Sequence, residues 1–165
     1  MALKSDRHEL MTDISFFLNE TKDRGFVAVL STGGSGAAMD QSAALLTFAA
    51  NASGQKPMGL LLNDMVNIDQ TRQHINWHKD EVQKGGKVTV LQQGWVVTDS
   101  VYPNQSPTAG DLAYIAQSGY ISNDDSVTSD SADSDGSTRV IGRFLSTKDE
   151  DGYAKVYIDL PNTNV

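Results

Sequence analysis

From Lys87 onward the chain alternates short apolar runs with glycine and aspartate turns, and this punctuation commits its second half to β-hairpins. Val88 and Val90, then Gly94, then Trp95-Val96-Val97 read as a strand, a glycine turn and another strand. Asp111–Ala116 and Tyr120–Ser122 flank Gln117-Ser118-Gly119 as a second hairpin. Arg139–Ser146 and Tyr153–Leu160 flank a polar stretch ending in Asp151-Gly152, a strong turn signal. Three hairpins within roughly 75 residues predict a mainly-β fold, a small antiparallel barrel or sandwich with at most one or two short helices.

The first half is less regular. Phe26–Leu30 is a short β-type run halted by Gly33-Gly34-Ser35-Gly36. The alanine-rich stretch Gln41–Asn51 has a composition that permits a helix, although its neighbours are strand-like. Met58–Leu62 follows a proline and reads as a buried strand. Asp69–Lys84 reads as a short helix capped by Asp69 and stopped by Gly85, or as an irregular excursion. Residues 1–22 are charged and carry one apolar knot, Ile14-Ser15-Phe16-Phe17-Leu18. That knot suits either a first element of the fold or an extended arm docking on a neighbour; the expected division is an arm over 1–22 and a β-domain over 23–165. Asn123–Thr138 carries Asp124, Asp125, Asp130, Asp133 and Asp135 with no basic residue, the composition of a solvated loop.

Bulk properties remove several function classes. The 165 residues suit one domain, with or without an arm. The absence of cysteine removes disulfides, thiolate catalysis and cysteine-based metal sites together. A formal charge of −8 repels phosphate backbones, and the nearest basic group, Lys79, Lys84 and Lys87, is interrupted by Asp80 and Glu81. Nucleic acid is therefore not an expected partner. The opening residues lack the apolar core of a secretory signal, and Ala43–Ala50 and Met58–Leu62 are too short to span a membrane, so neither secretion nor a membrane is expected.

No reactive constellation emerges. His74 and His78 have the spacing of a helical metal pair, but Ile75 stands where a zincin would carry glutamate and a third ligand is missing. Gly33–Gly36 is followed by Ala37-Ala38-Met39-Asp40 rather than the lysine and hydroxyl of a phosphate loop. Asp133-Ser134-Asp135-Gly136 resembles the middle of a calcium loop, but Ser131 and Gly142 fall on its anchoring positions. Asp149 and Asp151 lie in a turn, where ordinary acidity is expected. No catalytic residue, cofactor or metal site is expected, and the chain reads as a non-enzyme. Trp95, in a strand, is expected in the core; Trp77, among polar residues, is a candidate interface anchor beside Ile14, Phe16, Phe17 and Leu18.

The second half also carries an ordered series of small motifs. Lys87-Val88-Thr89-Val90 and Gly94-Trp95-Val96-Val97 are followed by Gly110-Asp111-Leu112-Ala113-Tyr114 and Gly119-Tyr120-Ile121. Ile141-Gly142-Arg143-Phe144-Leu145 then leads to Lys155-Val156-Tyr157-Ile158-Asp159-Leu160. This order resembles the small β-barrel of capsid decoration, or cement, proteins of tailed bacteriophages. The stretch from Gly59 to Thr98 is similar to virion proteins of the same phages. The resemblance implies a structural virion protein on the outer capsid surface, commonly a homotrimer, that clamps adjacent major capsid subunits. On that reading the 1–22 arm straps a neighbour and the acidic loop faces solvent. A tail, fibre or baseplate component and, further off, a carrier-type β-domain are the alternatives. The Gln117-Ser118-Gly119 tip lacks the lysine that a carrier hairpin needs.

Overall fold

The computed structural model describes residues 3–33, 44–64, 81–126 and 139–160. Its strands are β1 (Leu3–Asp13), β2 (Phe17–Leu18), β3 (Lys22–Asp23), β4 (Val27–Gly33), β5 (Ala44–Thr47) and β6 (Pro57–Asp64). They continue with β7 (Glu81–Val82), β8 (Val88–Thr98), β9 (Leu112–Ile115), β10 (Ile121–Ser122), β11 (Val140–Phe144) and β12 (Ala154–Asp159). A 3-10 turn, Gln117–Gly119, joins β9 to β10.

β8 organises the whole. Leu91 pairs with Thr12 of β1 and with Leu60 of β6, whereas Val96 pairs with Arg7 of β1 and with Val156 of β12. β1 therefore runs along one edge of β8, and β6 and β12 share the other edge end to end. Two wings grow from that shared edge, β6–β4–β5–β2 and β12–β11–β9–β10. Their inner faces enclose the main core, in which Val27, Leu60, Leu62, Ile115, Ile141, Phe144, Val156 and Ile158 are buried. The sheet does not close into a barrel; the fold is the sandwich-like alternative.

The other face of the first wing is covered too. Ala28, Leu61, Val88 and Val90 pack there with Phe16, Leu18, Phe26, Leu46 and Phe48 as a second core. This explains why Leu60, Leu61 and Leu62 are all buried in succession: neighbouring strand residues face opposite sides, and both sides are dry. β12 shows the simpler rule, with Ala154, Val156 and Ile158 inside and Lys155, Tyr157 and Asp159 half-buried on the outer side.

Several sequence expectations are corrected. The hairpin expected at Gly94 does not form, because Val88–Thr98 is one continuous strand. Gly94 stands in its middle with φ +143°, and a Cβ there would collide with the His8 carbonyl oxygen. The glycine serves the close passage of β1 rather than a turn. The alanine-rich stretch yields β5 rather than a helix, since pairing to both β4 and β2 overrides composition. Of Asp69–Lys84 only residues from 81 on are described; Glu81–Val82 pairs with β3, and the rest of that expectation lies outside the described residues.

Residues 1–22 do not stand apart as an arm where they are described. Leu3–Asp13 pairs along β8, and the knot fills the second core, with Phe16 and Leu18 buried. The Phe16 carbonyl accepts from Val88 N–H at 3.1 Å, and Leu18 exchanges hydrogen bonds with Gly85 and Gly86. The Glu20 carboxylate accepts from Thr47 Oγ1 and the Phe48 N–H. The cause is that β8 and the outer side of the first wing would otherwise leave an unpaired edge and an uncovered apolar face.

The wings are tied together by polar contacts as well. Ser118 N–H donates to the Ala49 carbonyl at 2.7 Å, hooking the β9–β10 hairpin tip onto the first wing. The buried Ser100 hydroxyl donates to the Gly25 carbonyl and accepts from the Thr98 hydroxyl at 2.7 Å, and Thr98 Oγ1 in turn accepts from the Ser100 N–H at 3.1 Å. These groups lie dry, so their mutual satisfaction keeps the site from costing stability.

Candidate interaction surface

The outer side of the second wing carries one cross-strand row. Leu112 of β9 opposes Arg143 of β11, Arg143 opposes Tyr157 of β12, Tyr157 opposes Trp95 of β8, and Trp95 opposes His8 of β1. Residues directly opposite on neighbouring strands point to the same face, so register alone aligns five side chains from five strands. The backbone gives each its place: inner neighbours such as Ala113, Phe144, Val156 and Val96 are fully buried, which turns the alternate positions outward.

Among the described residues, two of the four large exposed apolar side chains belong to this face, Leu112 at 41% and Leu145 at 43% exposure. Together with Val140, Arg143, Tyr157 and Asp159 they line a shallow open groove of about 260 Å³. The other two, Leu10 and Met11, lie on β1, where Met11 borders a smaller groove of about 180 Å³ with Pro57, Met58, Gln92 and Leu160.

Trp95 is not in the core as expected. It is half-buried on the outer face, with the Lys155 ammonium 3.5 Å above its ring and the His8 ring stacked at 6.5 Å. Asp159 accepts from Gln93 Nε2 at 3.3 Å. Among the described residues Arg143 makes no ion pair and no side-chain hydrogen bond. A half-buried tryptophan and tyrosine, exposed leucines and an uncommitted arginine match the residue types enriched at the centres of protein–protein contacts.

The turn before β9 holds this face in position. Asp111 accepts from Thr108 N–H at 2.8 Å, Thr108 Oγ1 at 2.9 Å and Asn123 Nδ2 at 3.3 Å. Those bonds, the Thr108 backbone first, hold the Asp111 carboxyl below the usual range. Gly110, at φ +103°, lets its N–H reach the Phe144 carbonyl at 2.8 Å. At the β11–β12 turn Asp149 accepts from the Tyr153 and Asp151 N–H groups and pairs with Lys4 of β1 at 3.3 Å. The Tyr153 N–H is the largest cause of its lowered pKa, so the ordinary acidity expected for this turn does not hold for Asp149.

Both aspartates titrate lower when folded than when unfolded. The stability they contribute is complete above the unfolded value near 4 and is lost as pH falls through the folded value. Thermal unfolding followed by circular dichroism should show Tm falling between about pH 5 and pH 2.5. The Asp111→Asn, Asp149→Asn double variant should start lower and fall by less. An identical slope in both proteins would show that other groups set the acid limit.

Lys22 forms a separate cluster beneath the first wing. Its ammonium lies 4.3 Å from the Phe26 ring centre, 5.5 Å from Phe48 and 5.8 Å from Tyr120. Burial lowers its pKa, opposed by Glu20 and Asp23. The cluster bridges β3, β4, β5 and the β9–β10 hairpin, a structural tie of the cation–π kind.

The sequence-predicted contact residues fare differently. Phe16 and Leu18 are buried in the second core, Ile14 and Phe17 are half-buried beside it, and Trp77 lies outside the described residues, as do His74 and His78. The acidic stretch is described only to Ser126, whose N–H and hydroxyl bond to Asp124. The row from Leu112 to His8 was missed. Its signal was present as alternate outer positions in β9, β11, β12 and β8, but the register that aligns them is invisible without the strand pairing. Among the described residues no three His, Asp or Glu side chains gather as a metal site requires. No described helix is long and apolar enough to cross a membrane.

Residues 11–159 match a protein-family model described as "Structural cement protein (E217 gp24/Pam3 gp6)". No curated protein matches the chain.

Proposed function

The chain belongs to the phage structural cement protein family, and from that premise we propose that it binds the outer surface of a phage capsid and stabilises contacts between major capsid subunits. The observation that carries the reading is the reach of the family match, which takes in both wings and β8, the strand they share. The family is structural and is not an enzyme class.

Physical chemistry supports such a role. The described sandwich offers a broad sheet face, and repeated copies on a lattice let modest single contacts act together. Self-association as a trimer is part of the proposal: a closed ring satisfies exposed strand edges and patches without open-ended growth. The place of action is the virion, with assembly in the host cytoplasm.

The test is direct. Purified protein added to expanded capsids that lack it should sediment with them and raise the capsid melting temperature. Unchanged melting at saturating protein, or association with tails instead of heads, would overturn the proposal. Light scattering on the free protein should report three copies; a strict monomer at all concentrations would remove the trimer.

A further inference from the structure

We infer that the outer face of the second wing is the surface that meets the shell, and that the patch it meets carries an apolar side chain flanked by carboxylates. This rests on the cement reading above and goes beyond it by naming the face and the chemistry of its partner.

Three observations converge on the face. First, Leu112 and Leu145, both more than two-fifths exposed, stand on either side of Arg143 at the groove of about 260 Å³. Pockets for drug-sized ligands run about 300–1,000 Å³ and enclose their guest, so an open groove of this size suits a side chain presented by another protein.

Second, local charge runs against the whole chain. The protein carries 21 acidic and 13 basic residues. Among the described residues that line the groove, Arg143 is the one basic side chain and Asp159 the one acidic side chain, and the Asp159 carboxylate already accepts from Gln93. Lys155 is held over Trp95 rather than by a carboxylate, and Arg143 has no partner among the described residues. Two cations that make no ion pair among the described residues, in an acidic protein, are complementary to carboxylates supplied from outside; an arginine fork binds them in paired geometry.

Third, the face is preorganised. Its row is set by the ladder of five strands, with Trp95 clamped between Lys155 and His8, so little ordering entropy is lost on contact.

The experiment compares capsid cosedimentation of wild type, the Arg143→Glu, Leu145→Asp double variant, and Lys84→Glu, which reverses a charge at an exposed residue off this face. Wild-type binding should weaken as salt rises. The double variant should lose affinity about tenfold or more, with its own Tm unchanged. Lys84→Glu should stay within about twofold of wild type, as expected of a charge outside a contact. Equal binding by wild type and the double variant overturns this inference and leaves the cement reading standing. Failure of wild type itself to bind overturns the cement reading, and this inference falls with it. Loss of self-association with capsid binding intact reassigns the face to a second copy and overturns the inference. Should the double variant melt lower, Arg143→Ala, which removes only an exposed cation, carries the same comparison.

Discussion

Replacing Phe144 with alanine should lower the unfolding free energy by about 3–5 kcal/mol, the largest loss expected from any single described side chain. Among the described residues Phe144 is the largest fully buried side chain, and it lies in the main core between the wings. Its backbone is equally engaged: its N–H donates to the Asp111 carbonyl at 2.9 Å, and its carbonyl accepts from Gly110. The backbone bonds hold β11 in place around the deleted ring, so the site cannot collapse and a cavity remains. Urea denaturation should give a lower midpoint at unchanged slope, because the surface exposed on unfolding hardly changes. Phe144→Leu, which refills most of the space, should recover most of the loss. Equal losses for alanine and leucine would mean that shape, not buried volume, governs the site.

The second large effect is expected at Gly94. Gly94→Ala should cost roughly 3 kcal/mol, the upper end of the overpacking range, since the added carbon has nowhere to go. It would strike the His8 carbonyl oxygen and lie 3.2 Å from the Leu10 N–H nitrogen, and both are backbone atoms that cannot swing aside. Gly85→Ala is the control. That residue also has positive φ, at +83°, but no atom lies within 4 Å of the new carbon. It should cost about 1 kcal/mol, the penalty of a left-handed backbone alone. The difference between the two reports the clash. Amide hydrogen exchange should show where the damage goes: β1 should lose protection in Gly94→Ala while β11 and β12 keep theirs. Uniform loss across all strands would show that β1 and the sandwich unfold as one unit.

The two glycines also mark what could and could not be seen before the strands were paired. Gly152, following Asp151, was legible as a turn because turn chemistry is local, and the β11–β12 hairpin forms there. Gly94 looked the same in one dimension, yet its reason lies in β1, far away in sequence. Trp95 was misplaced for a related cause. Its neighbours Val96 and Val97 suggested burial, but which strand face is dry depends on what packs against it. The Ile14–Leu18 knot was legible as something that must be covered; that its cover is the chain's own second core followed only from the wings.

Local chemistry in this chain therefore settled the strand-rich class, the two C-terminal hairpins and the absence of cysteine chemistry, because propensity, alternation and turn preference act over a few residues. The tertiary structure decided that β1 runs beside β8, that two wings share one edge of that strand, and that Leu112, Arg143, Tyr157, Trp95 and His8 stand in one row. Those are pairings between distant segments, chosen by which register buries both apolar faces at once, and a contact surface built across five strands exists only after that choice is made.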